Sequence, residues 1–224
     1  MKLNSNAHDI LKNFSEINTN ILIKPGSELN TISTMRNIFA KAEITEEFTN
    51  EFGIYDLNQF LSVVTSLDKT NISLDDKFMT IASEGSKSKA KYFYSDASVI
   101  VSPTKEVTMP EADVTFTLTE SNLKELLKMA AILATPDLAL VGTNGGAISL
   151  TVCDKKNDTS NTFSIDVAEG ATADFKFYFK VENMKMLSGD YDVQVSSKSI
   201  SHFQHKKLPI QYWIALEPDS SFTK

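Results

Sequence analysis

Two amphipathic stripes in this chain are alike in spacing, which points to a duplicated fold. Ala7, Ile10, Leu11, Phe14 and Ile17 recur at helical spacing, and adding 116 to each gives Leu123, Leu126, Leu127, Ala130 and Leu133. The same shift lays His8 on Lys124, Asp9 on Glu125 and Lys12 on Lys128. The second helix spans roughly 120–134 and ends at Pro136. Each stripe is followed by three β-rich runs: Ile21–Lys24, Glu28–Thr34 and Ile38–Ile44 in the first half, and Leu138–Val141, Ala147–Cys153 and Thr162–Val167 in the second. A strand then leads into a short helix. Phe52, Ile54, Asp56, Leu57 and Phe60 match Phe179, Val181, Asn183, Met184 and Leu187 at a shift of 127, with Asp56 and Asn183 placed as N-caps. Further strands follow, near 71–74, 78–82 and 89–94 and near 190–197, 199–204 and 210–216.

The expected fold is therefore α+β and duplicated, with helices on one face of antiparallel sheets and four helices in all. Expected boundaries are 1–97 for the first domain, 98–113 for a connector carrying Pro103 and Pro110, and 114–224 for the second domain. The 224 residues suffice for two cores, and 42% apolar with 23% charged residues excludes a disordered or fibrous chain. The longest uncharged stretch, Leu138–Cys153, is broken by Thr143-Asn144-Gly145-Gly146 and cannot form a membrane helix. With no apolar signal core at Met1–Asn6 and a single cysteine, Cys153, the expectation is a protein of the cytoplasm.

Sites for chemistry are few. There is no Gly-rich phosphate loop, and Cys153 lies on an apolar strand without a nearby histidine. His202 and His205 are three apart on a strand-rich segment and point to opposite faces, so no metal site is expected. Asp75-Asp76 and the Asp190, Asp192 pair sit at turn edges, where aspartate is common. No nucleophile–base pair emerges, and neither an enzyme nor a cofactor is expected. A nuclease using those aspartates is the chemical alternative.

The polar faces of the helices are more informative. They carry Lys2, His8, Lys12, Lys124, Lys128 and Lys185, with Asn58, Gln59 and Ser62 from the second helix. Composition favours a solvated face with pairs such as Lys12–Glu16. Lys124 and Lys128, like charges one turn apart, point instead to an approaching anion. The net charge of −7 argues against dispersed nucleic-acid binding but leaves room for a local patch.

Several segments resemble the sliding clamps of T4-type bacteriophages, the polymerase accessory proteins. These are Met1-Lys2-Leu3, Ile10-Leu11-Lys12-Asn13-Phe14, Ile54-Tyr55-Asp56-Leu57-Asn58-Gln59-Phe60-Leu61, Asn183-Met184-Lys185-Met186, Ser188-Gly189-Asp190-Tyr191 and Ala215-Leu216-Glu217-Pro218-Asp219-Ser220. Their order and spacing cover essentially the whole chain. The resemblance implies a homotrimeric ring of six domains around duplex DNA, lined by twelve helices, with Lys2, Lys12, Lys124, Lys128 and Lys185 toward the DNA. It implies an ATP-driven loader, a docking pocket for the polymerase C-terminal peptide and late-transcription partners, in the cytoplasm of an infected bacterium. By the architecture of clamps, the pocket candidates are Val99, Val101, Val107 and Met109 of the connector with Leu216 and Pro218 of the tail. A closed ring needs partners for its edge strands, so Lys89–Tyr94 (Lys89, Lys91, Phe93 and Tyr94) is expected to meet Thr162–Val167 (Thr162, Ser164 and Asp166) of the next subunit. Lys155 and Lys156 are expected in an outer turn. A phage tail or baseplate ring subunit is the alternative of a different class.

Overall fold

The computed structural model describes every residue except Ser86 and Lys224. The chain divides into two compact units, Met1–Glu106 and Val107–Lys224, and the division falls inside the stretch read as the connector.

In the first unit, α1 (Ser5–Ile17) is capped by Asn4, whose side chain accepts the Ala7 N–H at 2.8 Å. The stripe read from the sequence is its buried face, with Ala7, Ile10 and Phe14 fully inaccessible. The helix lies against β2 (Gly26–Ile32) and β3 (Ile38–Phe48), which pair with Leu29 opposite Ala42. Before them comes β1 (Ile21–Ile23), antiparallel to β4 (Phe52–Ile54). Then α2 (Leu57–Ser66) starts at Asp56, as expected, with the Asp56 carboxylate accepting the Gln59 N–H at 2.8 Å. A meander of β5 (Thr70–Leu74), β6 (Phe78–Ser83) and β7 (Lys89–Phe93) completes the unit, with β7 at its edge.

The second unit opens with β8 (Val114–Leu118), a strand not anticipated, and then α3 (Glu120–Leu133). There follow β9 (Asp137–Gly142), β10 (Ile148–Cys153), β11 (Phe163–Ala168) and β12 (Asp174–Lys180). The last strands are β13 (Tyr191–Ser196), β14 (Ile200–His205), β15 (Ile210–Ala215) and the unforeseen β16 (Ser221–Thr223). One sheet has the order β11-β10-β9-β12-β16, and β8-β13-β14-β15 forms a second antiparallel run. The β9–β12 pairing repeats that of β1 with β4, as duplication requires.

One expected element is absent. Where a fourth helix was read after Asn183, there is only a three-residue 3-10 turn, Val181–Asn183, so the described residues hold three α-helices. The backbone there is claimed by tertiary partners. Val181 N–H donates to Pro136 O at 3.0 Å and Leu187 N–H to the Tyr212 hydroxyl at 3.0 Å, while the Tyr191 hydroxyl donates to Leu187 O. Asn183 is buried rather than capping. The expectation of twelve helices in a trimer therefore fails for this chain.

Candidate nucleic-acid interface

On α1, Lys12 is exposed and lies opposite Ile10, Leu11 and Phe14. On α3, Lys124 and Lys128 are exposed and oppose the buried Leu123, Leu126 and Ala130. Caps fix where these lysines stand. Thr119 accepts the Asn122 N–H at 3.2 Å, and Glu120 N–H donates to the Asp190 carboxylate at 2.8 Å, tying the start of α3 to the strand beside it. Lys124 forms an i,i+4 ion pair with Glu120, which relieves part of its repulsion with Lys128. Lys2 pairs with Glu84 at 2.5 Å, both groups about half exposed, and Lys185 is exposed on the loop standing where the fourth helix was expected. His8, read on the same polar face, is half-buried, with Nδ1 3.7 Å from Asp9. Each unit thus presents lysine on the polar side of its long helix. Such cations attract phosphate without direction or base reading.

Of the aspartates weighed for metal chemistry, Asp190 and Asp192 have side-chain partners and Asp75 belongs to a turn. Asp75 N–H closes a turn onto Phe78 O at 2.9 Å, Asp190 holds α3, and Asp192 pairs with Lys206 at 3.1 Å. His202 bonds Gln211 at 2.9 Å, and the His205 ring faces Ser188 O at 3.2 Å.

The two runs expected at the subunit contact are both outermost in their sheets. On β7, Lys89, Lys91 and Phe93 are exposed, and Lys91 Nζ lies 3.6 Å above the Phe78 ring. Tyr94 differs: its ring turns inward and stacks on Phe52 at 4.6 Å. On β11, Ser164 and Asp166 are exposed, with Thr162 just outside the strand. Lysines on one edge and an aspartate on the other are complementary in charge.

The pocket candidates differ in exposure. Val99, in the 3-10 turn Ala97–Val99, is exposed. Val101 is half-buried, its N–H donating to Asn20 at 3.0 Å and its C=O accepting from Asn18 at 3.1 Å. Val107 and Met109 are half-buried and Pro218 is exposed. Leu216 is 6% exposed, its N–H donating to Ser199 O at 3.0 Å. Three cavities within the units are lined by other residues.

Sequence reasoning missed Lys155. Read as an outer-turn lysine, it has a side chain only 7% exposed, held by Glu217 at 3.0 Å and Asp219 at 2.7 Å. Burial alone would lower its pKa, but hydrogen bonds to both carboxylates raise it. Lys180, beside it, pairs with Asp137 at 2.5 Å. The partners lie more than sixty residues away in sequence, so no local signal marks this network.

A family model described as DNA polymerase processivity factor matches residues 5–102, and one described as gp45 sliding clamp, C terminal, matches residues 114–218. The sliding clamp of Vibrio phage KVP40 is 32% identical over 223 residues, covering 97% of this chain and 99% of that protein. The sliding clamp of Escherichia phage RB69 is 30% identical over 230 residues, covering 99% of each. Among solved structures, Thermococcus kodakaraensis PCNA superposes with a TM-score of 0.69 at 11% identity, over 94% of this chain and 95% of that one. Entamoeba histolytica Proliferating Cellular Nuclear Antigen gives 0.64 at 14% identity, over 94% of each. These two likenesses are of fold.

Proposed function

The chain belongs to the sliding-clamp family of T4-type bacteriophages, DNA polymerase processivity factors that act as scaffolds without chemistry of their own, and from that premise we propose how its residues serve the task. Family membership displaces the tail-ring and nuclease readings. Three copies close head to tail through the β7 and β11 edges, and the lysine sides of α1 and α3, with Lys2 and Lys185, line the hole. A heterologous contact of this kind closes a ring when its rotation permits. The observation that carries the reading is the placement of exposed lysine on both long helices of a chain whose net charge is −7. An acidic total disfavours DNA contact over the outer surface, and topological linkage lets weak phosphate attraction suffice for sliding.

Partners follow the same reading. The polymerase C-terminal peptide docks among Val99, Val101, Val107, Met109, Leu216 and Pro218, an ATP-driven loader opens the ring, and late-transcription factors share the docking face. The relatives are phage proteins, which places this activity in an infected bacterial cell. Among the described residues no helix is long and apolar enough to cross a membrane.

Light scattering tests the assembly, with about three times 24.8 kDa expected. Loaded protein should remain on nicked circular DNA and slide off after linearisation. A monomeric mass at working concentration, or retention indifferent to DNA ends, would overturn the proposal.

A further inference from the structure

In the first unit α2 covers one side of α1. Ser15 Oγ donates to Asn58 Oδ1 at 2.8 Å, and Leu11 and Phe60 border the same internal space. Leu11 and Ser15 are only 1% and 6% exposed there. Their counterparts 116 residues on are Leu127 and Ala131. Leu127 is half-buried and Ala131 is exposed, whereas Leu123, Leu126 and Ala130 are buried like their counterparts in α1. The two units thus differ on the one side of the helix that α2 covers in the first.

The covering segment starts alike in both. Leu57 N–H donates to Thr19 O at 2.8 Å where α2 begins, and Val181 N–H donates to Pro136 O at 3.0 Å where the 3-10 turn begins. Only that one turn follows in the second unit, so the side of α3 stays open. The opening is a groove of about 480 Å³ whose walls include Leu127, Ala130, Ala131, Ala134, Thr135 and Val181. Thr135 is 5% exposed, yet its Oγ1 has no hydrogen-bond partner among the described residues. A buried hydroxyl left so is costly, and it marks where a polar group is wanted. The last turn of α3 carries no basic residue, and the exposed Glu182 borders the same groove. Negative potential therefore gathers at this end, where the positive N-terminus of another helix fits.

We propose that the groove along α3 is a docking site for a short amphipathic helix of a partner protein, laid on α3 as α2 lies on α1. The helix starts beside Glu182 and the end of α3, offers a polar group to Thr135 Oγ1, and seats an aromatic side chain against Leu127. Helix-in-groove recognition of this kind reads an apolar stripe at helical spacing. The stripe Leu57, Phe60, Leu61 and Val64 of α2 is the chain's own template for it. The groove shares no residue with the connector and tail candidates. The inference goes beyond the clamp reading and rests on no part of it, because it follows from comparing the two halves of one chain.

The test uses the full chain and, as probe, a fluorescein-labelled synthetic peptide of residues 56–67. A hydrocarbon staple between positions 62 and 66, both exposed in α2, holds so short a peptide helical. The unaltered chain should bind it, and the Thr135 amide resonance should shift as it does. Ala131→Trp fills the groove from an exposed position and should weaken binding about ten-fold or more, the effect of one lost anchor. Ala131→Ser, which installs the side chain that α1 has at this place, should bind as the unaltered chain does. A probe carrying Phe60→Ala should bind about ten-fold more weakly. Circular dichroism checks that both variants are folded. Absence of binding to the unaltered chain would overturn the proposal. So would equal binding to Ala131→Trp, which would put the peptide elsewhere. A lower mass in solution for folded Ala131→Trp would assign the groove to a second copy of this chain and overturn it as well.

Discussion

A Cβ on Gly189 would stand 2.1 Å from His205 Nε2, so these two residues fit together only because one has no side chain. Gly189 also has φ +153, which L side chains rarely adopt. His205 Nδ1 accepts the Lys207 and Leu208 N–H groups at 3.0 Å, leaving Nε2 to face Ser188 O at 3.2 Å. The imidazole thereby clamps the 184–190 loop that carries Lys185. Gly189→Ala should destabilise the protein by about 2 kcal/mol or more through overpacking and backbone strain. Urea unfolding measures this, and an unmoved midpoint would mean the loop is not held by this contact.

That loop also marks the limit of what was legible in the sequence. The stripes of α1 and α3 could be read because local periodicity and tertiary burial agree there, and Asp56 capped α2 where its side chain predicted. Asn183 failed as a cap because Tyr191, Tyr212 and Pro136, none adjacent in sequence, supply the partners a helix would otherwise supply itself. The alternation Val114, Phe116, Leu118 does signal β8, but the run is only five residues long and lies between the proline-bearing connector and the stronger helical stripe of α3. Ser221–Thr223 has no pattern at all, since its strand exists only through β12. For the site, exposed lysines on the helices were legible from amphipathicity. Lys155 was not, because its carboxylates arrive from the far end of the chain.

Acid should weaken the second unit through His202. Burial holds its imidazole below the usual 6.5, the hydrogen bond to Gln211 opposing this in part, and its ring stacks on Trp213 at 4.6 Å. As pH falls through 6.5 the unfolded chain gains a proton there while the folded ring stays neutral. The unfolded state then binds more protons, so stability falls with pH below that point and reaches its full value above it. In denaturant titrations between about pH 7 and pH 5, His202→Asn should show a shallower slope than the unaltered chain. Identical slopes would assign the acid sensitivity to other groups.

The ring contact can be tested at β7 without touching its internal ladder. Tyr94 N–H donates to Lys77 O at 3.1 Å, and N–H groups alternate sides along a strand, so the Phe93 N–H points away from β6. Phe93→Pro therefore removes a donor from the free edge, where proline is tolerated within a domain. Circular dichroism should be unchanged while the mass in solution shifts from trimer toward monomer. Unaltered trimer mass at low concentration would place the subunit contact elsewhere.

The final prediction concerns Lys12, Lys124 and Lys128, reversed together to glutamate. All three are exposed and oppose buried stripes, so each change should alter stability by no more than about 0.5 kcal/mol. Lys124→Glu carries a further small cost, because it stands one turn from Glu120. Retention on circular DNA should fall sharply in the triple variant, and its dependence on salt should flatten, because fewer counterions are released per binding event. The control must match the charge change on exposed lysines away from the helices, and Lys156, Lys198 and Lys207 serve. Lys155 does not, since reversing it would place a third carboxylate against Glu217 and Asp219 and disturb the fold itself. Both triple variants are compared in one retention assay across a salt series, with trimer mass checked for each. Equal losses would show that net charge alone governs DNA holding, and the lysine faces of α1 and α3 would lose their assigned role.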